Sequence, residues 1–447
     1  MSRLVIVSNR VPSPRERSQL AGGLAVALRE AIGGRETLWF GWSGSTSQNP
    51  PATPRVTRLG RIGFATIDLL PADYEGYYRG FSNGMLWPLF HYRTGLAEFR
   101  REDHAAYRRV NETFAAALAP LLRPGDLLWV HDYHLIPLGA ALRRRGFSGR
   151  LGFFLHVPFP SPTIYEALPQ GDALLADFAA YDVIGLQTQQ DAANLNTLLA
   201  EGGFAVRASV FPIGIEPHAF AREAAAAAEG PEGVRLRESL ADRALILGVD
   251  RLDYSKGIPQ RFRGFEQLLK RFPEHRGRVT MLQIAPVSRG DVTQYRALRR
   301  ELDELAGRIN GMQAEFDWVP LRYLTQTVPR NTLAGFQRIA AIGLVTPLRD
   351  GMNLVAKEFV AAQDPQNPGA LVLSRFAGAA HELAGALVFN PYDPDETAEA
   401  LHIALTLPEA ERRVRWQQMW EAVARNTAGA WARNFVARLE HAAAAAA

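Results

Sequence analysis

The stretch "LGVDRLDYSKGIPQRFRGF", Leu247–Phe265, decides how the fold is read. It begins inside an apolar run, Ala244 to Val249, that stops at Asp250-Arg251. Lys256-Gly257 follow, and a helical pattern then starts. An apolar run that ends in a polar turn and opens a helix reads as a strand and its crossover in a parallel sheet. An arginine and a lysine beside a helix start also make a place for an anion, because the first amides of a helix have no internal acceptor. The spacing is not that of a P-loop, so no nucleotide-hydrolysing loop is read here.

The same grammar recurs outward from this stretch. Candidate strands are Leu4–Ser8, Leu38–Trp42, Leu127–His131, Gly152–His156 and Val183–Gln187, then Ala244–Asp250, Val279–Ala285, Gly343–Thr346 and Ala370–Ser374. Helix-length patterns lie between them at Leu135–Arg145, Arg261–Phe272, Asp291–Arg308 and Asn353–Gln363. Alternation of this kind implies parallel sheets covered on both faces. At 447 residues the chain is too long for one core, and the series pauses at the Ala-rich "AREAAAAAEGPEG". Two doubly wound α/β domains are therefore expected, residues 1–230 and 231–425, facing across a cleft. Open sheets of this type bind ligands at the carboxyl ends of their strands, so each domain would hold one substrate.

Composition narrows the function classes. A hydrophobic share of 47% with 21% charged residues is that of a globular protein. No apolar run approaches the ~20 residues of a membrane span, and the start of the chain is too short of apolar residues for a signal peptide. A cytoplasmic protein without membrane association is expected. There are no cysteines, which excludes disulfides, thiolate metal sites and a cysteine nucleophile. The net charge of +4 is spread over interspersed residues of both signs, which argues against a nucleic-acid surface. Lysine occurs only at 256, 270 and 357, every other formal cation being arginine. A compact ammonium and a planar guanidinium are not interchangeable at a tight site, so these lysines are candidate functional groups.

Several strand ends carry chemistry. Arg10 follows the first strand, and Gly22-Gly23 precede a helical pattern, where paired glycines would let amides approach a phosphate. A G-x-G-x-x-G fingerprint is absent, so a dinucleotide site is not supported. "YYRGFSNGMLWPLFHYR" concentrates Tyr77, Tyr78, Phe81, Trp87, Phe90, His91 and Tyr92 in a span too irregular for one amphipathic element. These rings suit sugar faces, or a core cluster. Asp132, in "WVHDYHL", stands where it could cap a helix or accept from substrate hydroxyls. His131 and His134 have no third ligand at a metal-binding spacing. His156 opens a loop stiffened by Pro158, Pro160 and Pro162, a rigid wall rather than a lid. Arg289 sits in "SRGD" at another turn into a helix. The richest set is Asp350-Gly351, then Met352 to Val355 entering a helix that bears Lys357 and Glu358. Amides at that helix start would meet a diphosphate, and a carboxylate one turn in could hold a ribose diol.

Taken in order, "RLVIVSNR", "AGGLAVAL", "LWFGWSG", "HDYHL", "FFLHVPFP", "FPIGIEP", "RLDYSKG", "QIAP", "SRGD", "AGRING" and "LVTPLRDGMNLVAKEFVAAQ" resemble the trehalose-6-phosphate synthase family from residue 3 to about 405. The resemblance implies a GT-B fold of two Rossmann-like domains, with a C-terminal helix, residues 426–447, returning to the first. It implies a retaining transfer of glucose from UDP-glucose to glucose 6-phosphate, by a cytoplasmic homo-oligomer that needs no cofactor and no metal. It assigns the acceptor to positions matching Arg10, Tyr78, Trp87, Asp132 and Arg289. Donor positions match Gly22, Gly23, Arg251, Lys256, Val328, Asp350, Gly351, Met352, Asn353, Leu354, Val355 and Glu358. His156 matches the histidine beside the transferred glucose, and with Asp350, Arg251 and Lys256 completes the catalytic set. One departure is a compact "EGGFAVRASV" where the family often carries a longer insertion, which puts oligomer contacts in question.

Three other readings stay open on sequence alone. A relative of the same fold could use glycerol 3-phosphate as acceptor, or ADP- or GDP-glucose as donor. A catalytically silent sugar-phosphate sensor would be expected to lack Lys256, Arg251 or Asp350, and all three are present. A Schiff-base cofactor on Lys256 is disfavoured by the arginine five residues before it.

Overall fold

The structure, a computed structural model, describes residues 2–11, 35–287 and 293–442. The chain divides into two compact units, one of Met1–Ile213 with Ala428–Ala447 and one of Gly214–Thr427.

In the first unit the described strands are β1 (Leu4–Arg10), β2 (Thr37–Thr46), β3 (Arg55–Leu59), β4 (Ile62–Leu69), β5 (Leu127–His131), β6 (Arg150–Phe154), β7 (Val183–Leu186) and β8 (Ala208–Val210). They form one sheet in the order β3-β4-β2-β1-β5-β6-β7-β8. Every pairing is parallel except β3 on β4. Strand order reverses between β1 and β5, so Arg10 and His131-Asp132 lie at the switch point. β1, β5 and β6 are buried almost throughout, as central parallel strands covered on both faces must be.

The helix Ala428–His441 belongs to this unit and packs on β5, β6 and β7. Its Phe435 stacks on Trp129 with ring centroids 4.5 Å apart. Gly152 of β6 makes room for it, since a Cβ there would meet the Phe435 ring at 2.7 Å.

The second unit holds β9 (Ala244–Val249), β10 (Val279–Ile284), β11 (Leu321–Leu324), β12 (Ile342–Val345), β13 (Ala370–Ser374) and β14 (Leu387–Phe389). The order β11-β10-β9-β12-β13-β14, parallel throughout, is the Rossmann order with its switch point between β9 and β12. That switch point is the stretch on which the fold reading turns. Expected helices appear as Leu138–Arg144, Ile258–Arg271, Thr293–Gln313 and Leu354–Ala362.

Two expectations need correction. The chain passes between units after Ile213, not near residue 230. The Ala-rich stretch is no linker but two helices, Pro217–Ala228 and Pro231–Leu240, that belong to the second unit. Alanine and glycine serve close packing there. A Cβ on Gly335, in the helix Arg330–Ile339, would lie 2.8 Å from the Ala227 carbonyl carbon. The aromatic span is also regular: Pro71–Asp73, a π-helix over Tyr74–Leu86 and Trp87–Phe90 run on continuously. The wider π turn moves the buried stripe to Tyr77, Phe81, Leu86 and Phe90, a spacing of four to five that a 3.6-residue period does not match.

Arg261 fixes the switch point of the second sheet. Its side chain is fully buried and donates to Asp250 Oδ2 at 2.6 Å, Gln283 Oε1 at 2.7 Å and Thr346 Oγ1 at 3.0 Å. These acceptors stand at or near the carboxyl ends of β9, β10 and β12. Replacing Arg261 by Ala leaves Asp250 a buried charge without its hydrogen-bonded partner, and should cost the second unit about 3–5 kcal/mol. Urea unfolding measures this, and a loss under ~1 kcal/mol would contradict the role given to the guanidinium.

Candidate active site

In the second unit the turn after β9 is built by local bonds. Asp253 accepts from the amide and hydroxyl of Ser255, each at 2.9 Å, which closes the short turn Tyr254–Lys256. Gly257 then enters the helix Ile258–Arg271 with φ +62°, and a Cβ there would meet the Thr346 carbonyl oxygen at 2.1 Å. Only glycine fits both conditions. Thr346 Oγ1 lies 3.1 Å from the Lys256 and Gly257 carbonyl oxygens, tying the turn to the end of β12.

This places Lys256 Nζ 2.5 Å from Asp350 Oδ2. Burial pulls the ammonium's pKa down, but Asp350 and Asp250 outweigh it, and the net shift is upward. The lysine therefore stays charged. Asn353 donates to the same Asp350 oxygen at 3.1 Å, while its own Oδ1 accepts from the Ala356 amide and caps the helix Leu354–Ala362. Gly351 and Met352 are buried in the connecting turn, so Met352 offers a ligand its backbone only. Leu354 and Val355 are half-buried in the first turn of the capped helix. Arg251 is exposed and makes no ion pair among the described residues.

Glu358 stands one turn further on, with Arg330 Nη2 3.6 Å from it, and Val328 lies in the loop before the Arg330–Ile339 helix. The structure thus gathers Lys256, Asp350, Gly351, Met352, Asn353, Leu354 and Val355 at one switch point, with Arg251 on the same turn. Val328 and Glu358 lie beside it on the neighbouring loop and helix.

The other two lysines are structural. Lys357 is fully buried and ion-paired to Glu382 at 2.8 Å; Lys270 pairs with Glu266 one helical turn away. Rarity of lysine thus marks one functional candidate of three.

In the first unit, β5 is followed by Asp132, which adopts φ +76°, a conformation that costs a non-glycine residue roughly 1–3 kcal/mol. Its carboxylate does not cap the turn that follows, as one sequence reading allowed. It accepts instead from the His156 amide at 3.2 Å. The ring of His156 is in turn bonded to His131, Nε2 to Nδ1 at 3.0 Å. Tyr78 stacks on His134 at 5.7 Å and on Tyr74 at 5.4 Å, with Trp42 at 6.1 Å. Trp87 packs on Tyr133, whose hydroxyl donates to Asn83. Tyr78, Trp87, Asp132 and His156 therefore share one aromatic-walled patch at the ends of β5 and β6. Arg10 is exposed at the end of adjacent β1, its guanidinium against Gly44, where a Cβ would meet Nε at 2.7 Å. The proline loop after His156 is buried and bonded, Phe159 to Asp191 and Asn194, as a rigid wall requires. Gly22, Gly23 and Arg289 lie outside the described residues.

Sequence reasoning did not single out Trp42, Asn83 or Arg261. The first two belong to an aromatic-walled patch whose members come from separate elements; Arg261 is the first residue of the expected helix Arg261–Phe272, and nothing in that pattern marks its partners. Among the described residues one group could hold a metal, Glu274, His275 and His402. His275 and His402 are hydrogen-bonded to each other at 2.9 Å, at the amino end of β10 and away from the strand ends described above.

The comparisons with known proteins now bear on this arrangement. The description "Glycosyltransferase family 20" matches residues 2–441. The chain belongs to glycosyltransferase family 20. It is 48% identical to the trehalose-6-phosphate synthase of Cronobacter sakazakii, covering 98% of this chain and 95% of that one. A solved alpha,alpha-trehalose-phosphate synthase (UDP-forming) from Burkholderia vietnamiensis superposes with a TM-score of 0.97 at 47% identity, over 100% of both chains. Another such synthase, from Burkholderia xenovorans in complex with glucose-6-phosphate, gives 0.95 at 46% identity, over 98% of this chain and all of that one. The two Rossmann-like units are those of a family-20 GT-B glycosyltransferase. Among the described residues of this family-20 chain no helix is long and apolar enough to cross a membrane.

The histidine pair gives a pH prediction. Burial pulls the pKa of His156 down to about 3, and burial with the neighbouring His156 pulls His131 well below its ordinary value. The folded protein leaves both rings neutral where the unfolded chain, titrating near ~6.5, binds protons. Stability should therefore fall as pH drops from ~6.5 toward 3, by about 1.4 kcal/mol per pH unit for His156, with His131 adding in the same direction. Urea unfolding between pH 7 and 4 should show a shallower fall for His156→Gln than for wild type; parallel curves would refute neutral burial of the ring.

Proposed function

We infer that the chain transfers glucose with retention from UDP-glucose to glucose 6-phosphate, giving trehalose 6-phosphate and UDP. The observation that carries this is similarity along 98–100% of the chain to UDP-forming trehalose-phosphate synthases, one of them solved with glucose-6-phosphate. The product is a disaccharide of two glucoses, so a UDP-forming route to it from glucose 6-phosphate draws its other glucose from UDP-glucose.

Breaking the bond to UDP requires stabilising charge that grows on the diphosphate. We assign this to Lys256, Arg251 and the first amides of the helix Leu354–Ala362, fixed positive groups that need no reorganisation during reaction. Lys256 has three N–H donors and Asp350 takes one, which leaves the others for phosphate oxygens. Asp350 thereby orients the ammonium, with Asn353 donating to the same carboxylate oxygen. Val328, Gly351, Met352, Leu354 and Val355 are assigned to donor backbone contacts, and Glu358 to the ribose. The reading needs no metal. Asp350, Asp250 and Asp253, the carboxylates of this switch point, are already engaged by Lys256, Arg261 and Ser255.

Arg10, on the first unit, is assigned to the acceptor's phosphate dianion, and by the family resemblance so is Arg289. Tyr78 and Trp87 would face the hexose, and the strained Asp132 would accept from one of its hydroxyls. His156, neutral at pH 7, is assigned beside the transferred glucose as a hydrogen-bonding group rather than a charge. Gly22 and Gly23 are assigned to the donor. Retention is assigned to a front-face route in which the leaving phosphate takes the acceptor's proton, so no carboxylate nucleophile is required. Holding two reactants in one geometry supplies most of the acceleration. Both substrates are polyanions that do not cross bilayers, which favours action in the cytoplasm.

A donor-by-acceptor matrix tests the reading: UDP should be released from UDP-glucose only when glucose 6-phosphate is present. No release from any nucleotide-glucose would sink it, and release with glycerol 3-phosphate but not glucose 6-phosphate would replace the acceptor. For Lys256→Ala, kcat should drop roughly 100- to 1,000-fold, the loss typical of one preorganised charge donor. Near-normal turnover of the folded variant would remove Lys256 from the leaving-group role.

A further inference from the structure

We propose that His131 is a positioning residue: its Nδ1–H donates to His156 Nε2 and so fixes His156 as the Nδ1–H tautomer, a hydrogen-bond donor toward a sugar oxygen. The inference rests on the placement of His156 beside the transferred glucose.

The bond between the two rings has two possible directions. His131 Nδ1 and His156 Nε2 are 3.0 Å apart, and a neutral imidazole carries one N–H. If His156 donates, His131 must carry its proton elsewhere on the ring as an acceptor at Nδ1, with N–H at Nε2. That Nε2 is buried and has no hydrogen-bond partner among the described residues. The ring sits among Trp129 at 4.6 Å, Trp431 at 6.2 Å and Phe154 at 6.5 Å, none of which offers a side-chain acceptor. The indole Nε1 atoms of Trp129 and Trp431 are also buried and without a partner, and an indole N–H can only donate.

No acceptor faces His131 Nε2, so a proton placed there would be a buried N–H without a partner, whereas the same proton on Nδ1 meets His156 Nε2. A bare lone pair at Nε2 is the lesser cost. His131 is therefore protonated at Nδ1, and His156 receives that hydrogen bond at Nε2. The proton of His156 is left on Nδ1, which has no partner among the described residues and lies on a half-buried ring at the end of β6. Burial lowers the pKa of both rings, which removes the doubly protonated alternative. Trp431 comes from the helix Ala428–His441, so the returning C-terminal segment supplies part of the wall that selects the tautomer.

Two measurements test this. In protein labelled with 15N-histidine, long-range correlation spectra should show His156 protonated at Nδ1; protonation at Nε2 would overturn the proposal. Replacing His131 by Phe or Gln should lower kcat roughly ten- to hundredfold, as loss of an orienting partner does, while KM for both substrates changes little. Asn places an amide donor where Nδ1 stands, so His131→Asn should restore most of kcat and keep the Nδ1–H signal of His156. Wild-type kcat in a folded His131→Phe, or no rescue by Asn, would overturn the positioning role. If His131→Phe does not fold, the wild-type spectrum and the Asn variant still decide. His156→Ala separates the two levels. If it turns over normally, the placement of His156 beside the sugar fails, whereas a crippled His156→Ala beside fully active His131 variants sinks the positioning role alone.

Discussion

The buried guanidinium of Arg261 is the constraint from which the second unit's site follows. A planar fork with several donors can hold three acceptors in one plane, and here they come from the ends of β9, β10 and β12. Taking such an ion pair out of water offsets most of its Coulombic gain, so the return is geometry more than stability. No bulk is tolerated around it: a Cβ on Gly248 would lie 2.5 Å from Arg261 Nη1. Thr346, one of the three acceptors, reaches the Lys256 and Gly257 carbonyls, and Asp350 follows four residues later. One pin therefore holds both halves of the Lys256–Asp350 pair.

The centre of each sheet could be read from sequence because a parallel strand buried on both faces is an unbroken apolar run. β1, β5, β6, β9, β10, β12 and β13 all fall on such runs. The edges could not. β3 is exposed at every position, and β8 and β14 have three residues each, too few to show a pattern. Gly-Pro and a run of alanines suggest a linker, yet the alanines are there because two helices approach closely. Composition does not distinguish a segment small because it is free from one small because it is crowded. The unit boundary was misplaced for that reason.

The candidate site was legible where chemistry coincides with a strand end. Asp132 and His156 follow an apolar run directly, Lys256 and Asp350 stand in the polar turn after one, and each is at or beside a switch point. What escaped were partners brought in from elsewhere: Trp42 against Tyr78, Trp431 beside His131 and His156, Asn83 beneath Tyr133. Lysine scarcity was a sound chemical cue with an incomplete rule. Lys357 is held fully buried in a pair with Glu382, a structural place for a lysine.

The two switch points share a device that neither sequence pattern announces. Asp132 in one unit and Asn353 in the other are non-glycine residues at positive φ, +76° and +78°. Each costs roughly 1–3 kcal/mol that a glycine would largely avoid, so something must be gained from the side chain. In both cases the side chain joins two elements: Asp132 reaches the amide of His156, and Asn353 spans Asp350 and the first turn of the helix Leu354–Ala362. A glycine would relieve the backbone and release the neighbouring candidate residue. Strain at these two points is the cost of holding His156 and Asp350 still before a substrate arrives. Preorganisation of that kind is what the proposed front-face transfer would depend on.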